Sequence, residues 1–119
     1  MGEMKLGAVE ARFADIIWHN EPLSSNYLAK LAEQELFWKK STTYTILKRL
    51  CDRGIFQNQS GTVSSLVSRE EFYALQSEKF VNETFHGSLP AFVAAFGTRK
   101  KLSSAEVEQL QGLIEKMRG

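Results

Sequence analysis

The sequence predicts a mainly α-helical protein built in two parts, and three observations carry that prediction. Apolar residues recur at three- and four-residue spacing in segments from one end of the chain to the other. Capping residues, Gly or Pro stand at most segment ends, and a loose two-residue alternation is confined to the stretch from Ile55 to Ser68. The expected order is helix, helix, helix, hairpin over residues 1–67, then three more helices over 68–119.

Val9, Phe13, Ile16 and Ile17 share one stripe of a helix from about Ala8 to Trp18. Pro22 in "NEP" ends it by forcing the preceding residue out of the helical region, and Ser24 or Ser25 caps a second helix with Leu28, Leu31 and Ala32 inward. A third helix is expected from Ser41, whose hydroxyl suits the cap position, with Thr43, Ile46, Leu47 and Leu50 on its inner stripe and Gly54 at a left-handed stop. "IFQNQSGTVSSLVS" then reads as a short hairpin turning at Ser60 and Gly61.

Ser68 and Glu71 form a capping box that opens a long helix to about His86, ended by Gly87. Its Phe72, Tyr73, Leu75, Phe80, Val81 and Phe85 spread too widely around the axis for one buried stripe. Pro90 suits the first turn of the next helix, which repeats Leu89, Phe92, Val93 and Phe96. A second capping box, Ser103 to Glu106, opens the last helix, with Val107, Leu110, Ile114 and Met117 on one face. Three helices of this size enclose little core alone. A homodimer is therefore expected, held by Phe72, Phe80, Phe85, Leu89, Phe92, Val93, Phe96, Leu110 and Ile114.

Composition narrows the function. At 119 residues, with 43% hydrophobic and 11% aromatic residues, the chain is expected to fold around packed cores. No apolar run approaches the roughly 18 residues of a membrane span, and the start lacks a signal-peptide core, so a cytoplasmic chain is expected with no membrane insertion. Cys51 has no second cysteine to pair with, and His19 and His86 stand far apart, so neither a metal site nor a cofactor is expected. The acids Glu70, Glu71, Glu106 and Glu108 are first-turn residues, and no phosphate loop or nucleophile motif is present; no catalytic residue is assigned.

A net charge of only +1 means that a nucleic-acid role must rest on how charge is distributed. "KKSTTYTILKRLCDRGIF" holds five Lys or Arg against one acid. Its inner stripe leaves Ser41, Thr42, Tyr44, Thr45, Lys48 and Arg49 outward, a set suited to a major groove, with Lys39, Lys40 and Arg53 at the ends for phosphates. A third helix of this kind before a hairpin is the order of a winged helix-turn-helix domain, and its expected partner is double-stranded DNA. The competing reading is a winged-helix adaptor whose basic face meets an acidic protein; a wing without Lys or Arg and the near-zero net charge favour it. Trp18, Trp38 and Cys51 adjoin apolar faces and are assigned to packing.

"GAVEARFADIIW", "STTYTILKRLCDRG", "SREEF", "FHGSLPAFVAAF" and "KLSSAEVEQLQGLIEKM" together resemble, in order and spacing, the penicillinase-repressor family across nearly the whole chain. The resemblance implies a homodimeric bacterial repressor on a palindromic operator, controlling resistance or stress genes, with Ser41, Thr42, Tyr44, Thr45 and Arg49 facing DNA. It also implies a sensor protease that triggers cutting of an Asn-Phe bond; the matching pair here is Ala95-Phe96, which lacks the asparagine, so that signal does not carry over. Gly7 stands where relatives carry a Ser or Thr cap, leaving half a capping box with Glu10. The chain ends "EKMRG" rather than in the Cys-rich tail of copper-responsive relatives, which disfavours copper sensing.

Overall fold

The computed structural model describes residues 5–119 and is mainly α-helical, with a small antiparallel sheet. Its elements are α1 (Ala8–Asn20), β1 (Leu23–Ser24), α2 (Ser25–Leu36), α3 (Lys40–Asp52), β2 (Phe56–Gln59), β3 (Thr62–Ser65), α4 (Arg69–Thr84), α5 (Leu89–Gly97) and α6 (Ser104–Met117). The strand order is β1-β3-β2, with Leu23 opposite Val63 and Asn58 opposite Val63 on the other edge. This is a winged helix followed by further helices. The chain divides into two compact units, one ending at Ser77 and one running Glu78–Gly119.

The core of the first unit joins Phe13, Ile16 and Ile17 of α1, Leu28 and Ala32 of α2, Leu47 and Leu50 of α3, and Ile55, Phe56 and Val63 of the wing. Val9, expected on the α1 stripe, is instead half exposed, and Ala14 is buried in that helix. Ile46 and Leu31 are only half-buried, at the rim. Both tryptophans pack: Trp38 lies 5.0 Å from the Phe13 ring and Trp18 5.2 Å from Phe56. The Trp18 indole N–H donates to the Val67 carbonyl at 3.0 Å, meeting the polar end of a mostly buried ring.

Three further details depart from the sequence expectation. Ser24 caps α2, its hydroxyl accepting from the Tyr27 amide at 3.0 Å, but Ser41 does not cap α3. Lys39 holds that position without a side-chain bond, and Ser41 lies inside the first turn. The residues after Pro22 add a short strand, β1, to the expected hairpin. Phe72 is fully buried, 5.7 Å from Trp18, so it belongs to the first unit's core rather than to a dimer face. The first turns of α4 are held on α1 as well by the Arg69–Asp15 ion pair at 2.8 Å.

Two glycines do what only glycine does cheaply. Gly54 takes φ 80° after α3, letting the Ile55 amide return to the Leu50 carbonyl at 3.2 Å. Ser60 and Gly61, at φ 53° and 88°, make the two-residue wing turn whose backbone twist matches paired strands.

In the second unit Ser88 caps α5 and Ser103 caps α6, the latter with both bonds of its capping box to Glu106. Phe80, Phe85 and Phe92 form an edge-on aromatic cluster with centroids 5.6 to 6.0 Å apart. No residue of α5 or α6 is buried. Leu89, Val93, Phe96, Leu110 and Ile114 are 40 to 58% exposed, a large apolar surface for a unit of this size. Among the described residues no helix is long and apolar enough to cross a membrane.

Candidate nucleic-acid interface

The outward side of α3 holds most of the residues picked out in the sequence. Because Thr43, Leu47 and Leu50 are buried, the helical period turns Ser41, Thr42, Thr45, Lys48 and Arg49 to solvent. Lys39 and Lys40, both exposed, stand at the N-terminal end, where the helix dipole adds positive potential. Tyr44 is half-buried on the flank toward α2; its hydroxyl donates to Asn26 Oδ1 at 3.0 Å, and the Lys40 ammonium lies 5.8 Å from its ring. The Thr45 hydroxyl donates to the Ser41 carbonyl at 3.0 Å. With its proton engaged there, Thr45 presents lone pairs outward and suits an amino group on a base edge.

The positive charge is less free than the sequence suggests. Lys48 pairs with Asp52 at 3.1 Å, and Arg49 with Glu10 of α1 at 3.6 Å. Arg53, half-buried at the end of α3, donates to the Lys5 carbonyl, so its guanidinium is turned toward the N-terminal segment. The cationic, hydroxyl-rich part of the face is thus its N-terminal half, while the C-terminal half is tied by ion pairs. Asp52, four residues after Lys48, was a readable helix pair. The roles of Glu10 and Asn26 were not readable, because each reaches α3 from another helix.

The turn that delivers α3 is unusual in one residue. Phe37 closes α2 in the left-handed region, at φ 59°, and is 89% exposed. A bulky side chain there carries roughly 1–2 kcal/mol of steric cost, and the gain is that Trp38 drops directly onto Phe13. Cys51, on the same helix, is half-buried; burial and then the charge of Asp52 push its thiol up, with Lys48 opposing. A thiol so placed carries less thiolate at neutral pH than a free cysteine and is less reactive.

The profile of the family described as Penicillinase repressor matches residues 6–116. The chain belongs to the penicillinase-repressor family. Similar proteins include the methicillin resistance regulatory protein MecI of Staphylococcus aureus (strain Mu50 / ATCC 700699), 25% identical over 116 residues that cover 94% of each chain. The corresponding protein of Mammaliicoccus sciuri is 24% identical over the same length and coverage. The penicillinase repressor of Bacillus licheniformis is 23% identical over 115 residues, covering 93% of this chain and 90% of its own. Family membership extends over both units, so the apolar helices after Ser77 belong to the same architecture as the winged helix.

Proposed function

We propose that this chain is a bacterial transcriptional repressor that binds a palindromic operator as a homodimer and thereby controls resistance or stress genes. The observation that carries the reading is the exposed N-terminal half of α3, where hydroxyls and two lysines crowd the start of the third helix of a winged helix. Lys39 and Lys40 meet phosphates on either side of the groove. Ser41, Thr42 and Thr45 face base edges, Tyr44 is braced against α2 by Asn26, and Lys48 and Arg49 complete the reading surface. The wing carries no Lys or Arg between Phe56 and Ser65, so its share of backbone contact is small.

The second unit supplies the twofold. Leu89, Val93, Phe96, Leu110 and Ile114 are the apolar positions a second copy covers, together with the Phe80, Phe85 and Phe92 cluster. Two copies present two copies of α3 to successive major grooves about 34 Å apart. Function of this kind requires access to DNA, and the cytoplasm is where a bacterial repressor meets it.

Selection of bound duplexes from a random pool tests it. The expected product is a palindrome with half-site centres one helical turn apart, bound with an affinity that falls steeply with salt. Failure to enrich any sequence, with a flat salt dependence on random duplex, overturns the reading and leaves the adaptor in its place. Ile114→Asp, at a residue 58% exposed in one chain, should turn dimers into monomers in sedimentation without unfolding the first unit.

A further inference from the structure

Resting on the operator reading above, we propose that Glu10 is a positioning residue that sets specificity by holding Arg49 back from indiscriminate phosphate contact. Glu10 is well placed for this. One carboxylate oxygen, Oε1, accepts from the Gly7 amide at 3.2 Å and fixes the side chain at the start of α1. The other, Oε2, lies 3.6 Å from Arg49 Nη1 across the gap between α1 and α3. The Glu10 side chain is 24% exposed and that of Arg49 55%, so the acid is the anchored partner and the guanidinium the movable one.

The contact is single and longer than a good hydrogen bond, which makes it exchangeable. A guanine edge offers the guanidinium two acceptors in a matching fork, whereas a lone phosphate reached at random offers no such gain over the carboxylate already in hand. Arg49 therefore leaves Glu10 where the sequence is right and stays where it is wrong. Glu10 contributes to discrimination without touching DNA.

The test is a cycle of four chains: wild type, Glu10→Gln, Arg49→Ala and the double variant. Each binds a random-sequence duplex and the duplex recovered by selection, between about 50 and 200 mM salt. Glutamine keeps an oxygen for the Gly7 amide, so α1 retains its cap, and thermal unfolding of each chain checks that the fold is intact. Glu10→Gln is expected to steepen the salt slope on random duplex by about 0.9 per protomer, the value of one added phosphate contact, and to lower the ratio of selected to random affinity. In the Arg49→Ala background the same change should move neither quantity. An unchanged slope and ratio in Glu10→Gln overturn the proposal. Equal steepening with and without Arg49 also overturns it, because Glu10 would then merely repel DNA. A wild type with no salt-dependent duplex binding overturns the operator reading itself, and this one with it.

Discussion

Thr43 offers the sharpest test of how α3 is seated. Its side chain is fully buried, and among the described residues Oγ1 has no hydrogen-bond partner. An orphaned buried hydroxyl costs about 1–3 kcal/mol relative to one left in water. Replacing it by a methyl removes that cost and adds roughly 0.8 kcal/mol of apolar transfer, while Thr and Val have nearly equal helix propensity. Taking the low end of the first figure, because a hydroxyl rotor relaxes, Thr43→Val should stabilise the first unit by about 1–2 kcal/mol. For a unit of this size each kcal/mol raises the melting temperature by roughly 4–8 °C. Trp18 and Trp38 both pack against the same unit's core, so tryptophan fluorescence during urea or thermal unfolding reports that unit. A lower midpoint at unchanged slope would mean that the hydroxyl is bonded and that the seating of α3 described above is wrong. Duplex affinity should not change, since Thr43 faces away from the exposed side of α3.

Phe72→Ala should cost about 3–5 kcal/mol in unfolding of the first unit, the range for a buried aromatic, while leaving the monomer–dimer constant unchanged in sedimentation; a selective loss of dimers would return Phe72 to the second unit. Lys39→Ala and Lys40→Ala should each reduce the salt slope by about 0.9 per protomer with the preferred sequence retained, and altered sequence preference would assign them base contacts. Cys51 should react with a thiol reagent more slowly at neutral pH than a free cysteine, because a raised pKa leaves less thiolate below it; the rate should rise as pH approaches the shifted value, and a fast, pH-independent reaction would contradict the burial seen here.

The helices were legible because their signals are local. Periodicity placed Phe13, Ile16, Ile17, Leu47 and Leu50, and the Ser103–Glu106 capping box was visible in four letters. Gly54 stopped α3 where its left-handed φ was needed. What escaped was set by tertiary contact. Period alone cannot tell that Val9 stays half exposed while Ala14 is buried, or that Phe72 turns onto Trp18 while Phe80, eight residues later on the same helix, joins another cluster. Strand β1 is two residues long and exists only because β3 lies beside it. In the interface, the outward set on α3 followed from its buried stripe, but the Arg49–Glu10 pair joins residues far apart in the chain. The Lys39 cap was hidden by a better capping residue, Ser41, two positions on.

The exposure of α5 and α6 bears on how these segments become ordered at all. A nine-residue helix is below the length at which a peptide holds itself in water, and beyond the partial cover that Phe80 and Phe85 give Phe92, neither helix has a buried residue. If the second copy proposed above covers them, their order is borrowed from it and becomes a function of how many molecules are present. Dilution should loosen the C-terminal segments before it touches the N-terminal core, and the melting curve should shift upward with protein concentration for the second unit alone.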